Sequence, residues 1–233
     1  MFALNNITSR EMSTPVSIQV SQNTYLKNPE TSDLGIKIIS GSIDLLDELG
    51  FEQFTFKKLA TYIGSTEASI YRYFESKNQI LVYLTSWYWS WIDYQLLLCT
   101  LNIESPEKKL ENSINLLTKI VEQDSDFSFV DEVKLNRIIN ADSSKIYLNK
   151  NVDLDNSYGY FAPYKKVVQM VCDIILEINP NYKYPHMLIS TMIEGAHHQR
   201  FFAEHLPRLT DVIKGEDSVT EFYLDMVFKS IEQ

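Results

Sequence analysis

The chain has 233 residues, 45% of them hydrophobic, which is enough to bury a sizeable core in one or two domains. Its 21 Lys and Arg against 31 Asp and Glu give a net charge of −10, which excludes nucleic-acid binding over the whole surface and confines any such contact to a local patch. With only 7 Gly and 7 Pro, and no Gly between Gly64 and Gly159, the punctuation favours long helices over strands. The fold class expected is all-α.

Residues 1–30 are polar, contain Pro15 and Pro29, lack a helical repeat and are expected to form a flexible N-terminal arm. Its cations, Arg10 and Lys27, are offset by Glu11 and Glu30, so it reads as a passive tail rather than a minor-groove arm. A helix is predicted over 32–49. Thr55 then caps a short helix over 56–63 with Phe56, Leu59, Ala60 and Ile63 on one face, and Gly64 follows where a left-handed residue ends a helix. Thr66 caps another short helix over 67–74, with Ile70 and Phe74 facing inward. Its outward face is Glu67, Ala68, Ser69, Tyr71, Arg72 and Tyr73. Two helices around a turn, the second presenting small and hydrogen-bonding side chains, describe a helix-turn-helix whose second helix can enter a DNA major groove.

From about Ile36 to Tyr83 the sequence resembles the TetR family of bacterial transcriptional regulators. The resemblance runs through the helix IKIISGSIDLLDELGF with its small Gly41-Ser42 pair, Thr55, Leu59-Ala60, Gly64, Thr66, Ile70-Tyr71-Arg72-Tyr73-Phe74 and Ser76-Lys77. It implies phosphate contacts from Thr55, Tyr71 and Lys77, and base-facing positions at Thr66, Glu67, Ala68, Ser69, Arg72 and Tyr73. Three residues depart from the family pattern: Ser65 at an apolar turn position, Glu67 where a basic or neutral residue is common, and Tyr73 in place of a frequent His. A carboxylate at Glu67 is repelled by phosphates unless it accepts a hydrogen bond from a cytosine amino group. Between Ile36 and Tyr83 five cations face six carboxylates, a thin electrostatic footprint for a DNA binder.

A fourth helix starts at Ser76-Lys77 and runs to about Leu101, with an inner stripe of Ile80, Leu84, Trp87, Trp91, Tyr94 and Leu98. It belongs to both halves of the chain and offers a route for signals between them. Ser105-Pro106 opens a helix to about Glu122, and another is expected over 127–140. Residues 142–160 read as a loop or weak helix. Helices follow over 162–178, 184–205 and 217–231. The organisation expected is a flexible arm (1–30), a helix-turn-helix DNA-binding domain (31–78) and a helical regulatory and dimerisation domain (79–233).

The resemblance implies that the last two helices, Pro185–Leu206 and Ser218–Ile231, form a homodimer, with Gly195 and Ala196 permitting close helix approach. Two-fold symmetry suits a palindromic operator, because one short helix reads too few base pairs. It also implies a pocket for a small-molecule effector. The aromatic content points to an apolar or aromatic ligand, with Trp87, Trp91, Tyr94, Tyr164 and His198 as candidate contacts. His197, His198 and His205 are poorly spaced for a shared metal ion, and no metal or cofactor is expected. No Gly-rich phosphate loop, HExxH or GxSxG motif supports an enzyme. Cys99 and Cys172 sit among apolar residues and read as free thiols. The N-terminal residues lack an apolar signal core and no run is long enough to span a membrane, so a cytoplasmic protein is expected. The function expected is a dimeric, ligand-responsive DNA-binding regulator, more often a repressor in this family. The alternative is a ligand- or partner-binding module of the same fold with weak or lost DNA binding.

Overall fold

Hydroxyl caps set the start of each of the first five helices. Ser32, Thr55, Thr66, Ser76 and Ser105 each accept a hydrogen bond from the backbone N–H three residues on. They open α1 (Asp33–Gln53), α2 (Phe56–Tyr62), α3 (Glu67–Tyr71), α4 (Lys77–Thr100) and α5 (Pro106–Thr118). The remaining helices are α6 (Glu132–Tyr147), α7 (Val152–Ser157), α8 (Ala162–Ile178), α9 (Pro185–His205) and α10 (Ser218–Ile231). This computed structural model describes residues 18–123, 127, 129–213 and 215–232, and no strand occurs among them. The architecture is all-α: an N-terminal helix-turn-helix domain and a C-terminal helical body.

Glycines of positive φ interrupt two elements, and Gly64 does so where the sequence placed it. Gly50 (φ 73°) breaks α1, so its regular part ends as expected and Phe51–Gln53 add a further turn. Gly64 (φ 65°) makes the turn between α2 and α3.

Helix α4 is buried on all sides through its middle turns, with Trp87, Tyr88, Trp89, Trp91 and Ile92 all within the core. Helices α5, α6 and α8 pack around it. The stripe drawn from sequence is therefore too narrow, and its last member is misplaced: Leu98 is 47% exposed, while Leu96 is fully buried. A helix that is apolar all round gives no periodic signal for its inner side.

Three expectations along the body change. Helix α5 stops at Thr118, short of Glu122, because the Arg200 guanidinium donates to the Thr118 carbonyl (2.7 and 3.1 Å) and occupies the helix end. The same guanidinium pairs with Asp217, the N-cap of α10, so one side chain of α9 ties two other helices. Helix α6 begins and ends later than predicted, and of the two readings of 142–160, loop or weak helix, the helical one holds, with the last turns of α6 and the short α7 filling most of it.

The flexible arm also needs correction. Residues 1–17 lie outside the described residues. Residues 18–31 form a strap of two 3-10 turns, with Ile18, Thr24 and Pro29 buried. The strap crosses the helix-turn-helix, where Leu26 N–H donates to the Tyr73 carbonyl (2.8 Å) and the Tyr83 hydroxyl donates to Glu30 (2.9 Å). It also reaches the body. Asn23 donates to the Tyr158 carbonyl (3.1 Å), and the Tyr160 hydroxyl donates to the Asn23 carbonyl (3.2 Å). The packing is possible because Gly35 has no side chain: a Cβ there would lie 2.1 Å from the Pro29 carbonyl oxygen. Gly35→Ala is expected to lower stability by about 1–3 kcal/mol and to open the strap to limited proteolysis. Unchanged thermal stability and cleavage would refute this packing.

Candidate functional site

Ile70 and Phe74 are buried, which anchors α3 and turns its opposite face to solvent. Glu67, Ala68, Tyr71 and Arg72 are exposed, Ser69 partly so, and Thr66 and Thr55 stand exposed at the two caps. Seven of the nine residues predicted to meet DNA therefore share one accessible surface. The Thr55 and Thr66 hydroxyls are already engaged in capping, each at 3.2 Å from its backbone N–H.

Two of the nine are elsewhere. Tyr73 is only 3% exposed; its hydroxyl lies 2.9 Å from the Ser32 hydroxyl and accepts from Lys27 Nζ at 3.2 Å. It anchors the strap and does not face the groove side. Lys77 turns back to α1, donating to the carbonyls of Phe51 (2.8 Å) and Glu52 (3.3 Å), where a cation satisfies a helix C-terminus. In exchange the strap brings exposed Lys27 to the end of the reading helix, a cation that the arm interpretation had set aside.

The acid excess of this domain also has a structural answer. Asp44, Asp47 and Glu52 of α1 meet Lys134 (2.6 Å), Arg137 (2.7 Å) and Lys145 (3.2 Å), all from α6. The Arg137 contact is bidentate, with its second bond at 2.8 Å. Asp44 also accepts from the Tyr62 hydroxyl of α2 (3.0 Å), so α6 is tied to two helices of the reader. Six carboxylates less these three leaves Glu48, Glu67 and Glu75; five cations less Lys77 leaves Lys37, Lys57, Lys58 and Arg72. With Asp33 at the start of α1 counted as well, the unpaired charge on the reader is balanced rather than acidic.

Behind this seam lies a cleft of about 960 Å³ between the C-terminal end of α1, the middle of α4 and parts of α5, α6 and α9. Leu46 and Phe51 come from α1, Tyr88, Trp89 and Ile92 from α4, and His197 from α9. The space thus touches the DNA-reading half and the body at once. Burial pushes the His197 pKa down to about 4, so its imidazole is neutral at pH 7.

Residues 38–84 match the family model described as bacterial regulatory proteins, tetR family. Over that stretch the chain carries the TetR-family N-terminal pattern. Its fold is similar to that of the ketosteroid transcriptional regulator KstR2 of Mycobacterium tuberculosis (11% identity, TM-score 0.52, 84% of this chain and 91% of that one). It is also similar to AibR, solved with isovaleryl coenzyme A and operator DNA (16% identity, TM-score 0.54, 81% and 95% covered). A third similar structure is that of PfiT, described as a superantigen (15% identity, TM-score 0.53, 82% and 93% covered). At these identities the likeness is one of fold. No curated protein matches the chain.

None of the five residues predicted to touch a ligand lines the cleft. Trp87 is buried edge-on against Phe127 (5.5 Å) and Phe129 (6.4 Å). Trp91 packs beside Tyr88 (6.0 Å), and Tyr94 is half-buried away from the opening. Tyr164 stacks on the face of Trp89 (4.1 Å) and donates to Glu194 (3.1 Å), which places it behind the wall. His198 is exposed and stacks on Phe202 (6.0 Å). The cleft is formed instead by their neighbours Tyr88, Trp89 and His197, with α1 and α6 supplying a side that aromatic content alone could not reveal.

Two outcomes follow from this geometry. A double-mutant cycle on Asp47→Ala and Arg137→Ala should give a coupling of about 0.5–1 kcal/mol that shrinks with salt, since the Arg137 side chain is 50% exposed. Zero coupling at low salt would show that the seam adds nothing. For His197, the folded-state pKa lies below its ordinary 6.5, so the unfolded chain takes up the proton first as pH falls. The stability it contributes is complete above pH 6.5 and is lost towards about pH 4, by up to about 3 kcal/mol. His197→Gln should flatten that part of the stability–pH curve; an unchanged slope would contradict a buried neutral imidazole.

Proposed function

We propose that the protein is a homodimeric transcriptional regulator that reads a palindromic operator through α3 and leaves it when a small molecule fills the cleft. The reader domain is taken as 31–78, preceded by the strap, and the regulatory body as 79–233. The observation that carries the reading is the position of the cleft, which is walled by α1 of the reader and by α6 and α9 of the body. A molecule bound there touches both halves, so it can favour one arrangement of reader on body over another. Coupling then runs through the α1–α6 seam as well as along α4.

The outer faces of α9 and α10 are the surfaces proposed for dimerisation, where Met187 (68% exposed) and Phe222 (56%) stand open. Gly195 is not part of that contact. It receives Tyr223 of α10 within the same chain, whose hydroxyl lies 2.1 Å from where a Cβ would be. Pairing through these faces sets two α3 helices on one side, as half-sites about one DNA turn (~34–36 Å) apart require.

Selection of bound sequences from a random duplex pool, at moderate salt and without added ligand, tests this reading. A palindrome should be enriched, and Arg72→Ala should weaken its binding by about 1–3 kcal/mol if Arg72 reads a guanine. Enrichment indifferent to Arg72 would remove that role. A folded dimer that enriches nothing would favour the alternative of a binding module, to which exposed Glu67, without an ion pair among the described residues, gives its support.

A further inference from the structure

The polar groups of the cleft fall into two sets. Charged groups occupy its edges, and nearly every cation there is already matched: Arg137 with Asp47, Lys145 with Asp142 and Glu52, Arg200 with Asp217. Lys119 has no ion pair among the described residues, but it is exposed at the outer end of α5. Glu216 adds an unmatched carboxylate at the rim. A carboxylate or phosphate entering this space would lose its hydration without gaining a buried counter-ion, a cost that burial makes large. An ammonium would find an unmatched carboxylate only in exposed Glu216 at the rim, while Asp47, Glu52 and Asp142 are already paired.

The uncharged set is deeper and is not saturated. Asn136 Nδ2 donates to the buried Tyr88 hydroxyl (2.8 Å), and Asn140 Nδ2 donates to Asn136 Oδ1 (3.2 Å). This chain ends on Asn140 Oδ1, a buried acceptor with no partner among the described residues. At its other end the Tyr88 O–H has no acceptor among them. Rotating both amides reverses the chain and puts a donor at Asn140 in place of the acceptor; the atom is occluded as it stands, and a turn of the Asn140 side chain, which lines the cleft, offers it to a ligand as a neutral hydrogen-bonding group. His197, 92% buried by its 8% exposure and also without a hydrogen bond among the described residues, adds an imidazole on the α9 wall. An unmet buried polar group is costly, and a ligand group that pairs with it recovers that cost.

We propose that the cleft takes an uncharged, largely apolar molecule carrying a hydroxyl or carbonyl group, which the Tyr88–Asn136–Asn140 chain reads, with His197 as a second neutral partner. This deepens, and rests on, the assignment of the cleft as the effector site.

The test uses the full-length protein and matched probes: n-decanol, decanoate and decylamine, and the corresponding naphthylmethanol, naphthoate and naphthylmethylamine. Calorimetric titration should show, for at least one skeleton, the alcohol binding about tenfold or more tighter than its carboxylate and amine. Asn140→Leu should weaken the alcohol by about tenfold, and Asn140→Asp should move the preference towards the amine. Because loss of binding in Asn140→Leu can also come from unfolding, the change in ranking for Asn140→Asp is the deciding result. The inference is overturned if a carboxylate or amine binds the natural protein as tightly as its alcohol, if no alcohol binds, or if both variants keep the natural ranking. Operator selection without ligand is read separately, so a wrong ligand class leaves the regulator reading standing, and loss of operator binding leaves the ligand class to be judged on calorimetry alone.

Discussion

The burial of α4 on every side is the constraint from which the other arrangements follow. A helix carrying Trp87, Tyr88, Trp89 and Trp91 in succession cannot leave one face in water without exposing a large aromatic area. It is therefore surrounded by α5, α6 and α8, and the body is organised as a shell around it. Because α4 begins directly after the reading helix, the same element also anchors Ile80 and Leu84 in the N-terminal core. The two halves consequently share one hydrophobic interior rather than meeting across a polar interface.

Helix α6 adds a second link with different physics. Its cations meet the α1 carboxylates in matching order, so the two helices run in the same direction along the seam. Such half-exposed pairs contribute little to stability. They do fix the register of α6 against the reader, and the cleft opens immediately behind them. A weak, geometrically specific seam beside a cavity is a place where two arrangements can differ by a small free energy.

The sequence was most informative where structure is local. Hydroxyl caps and left-handed glycines marked helix ends, and the positions of Ile70 and Phe74 settled which side of α3 faces out. It failed where the deciding partner is remote. Tyr73 looked like a surface residue because the strap that covers it lies more than forty residues earlier, and the end of α5 depends on Arg200, 82 residues away. The aromatics that line the cleft were missed by a single position. Successive residues on a helix turn by about 100°, so Trp87 and Tyr88 face different neighbours, and a helix that is apolar all round carries no pattern to choose between them.

The ion pairs of α1 have a consequence for how the reader behaves when separated. In the intact chain, three of its carboxylates are neutralised by side chains that lie some ninety residues further on. A fragment cut off within α4 would carry those charges bare and would meet the phosphate backbone as a more acidic object than the domain it was taken from. The body is thus the reader's own counter-ion, and the charge that the reader presents is a property of the assembled chain.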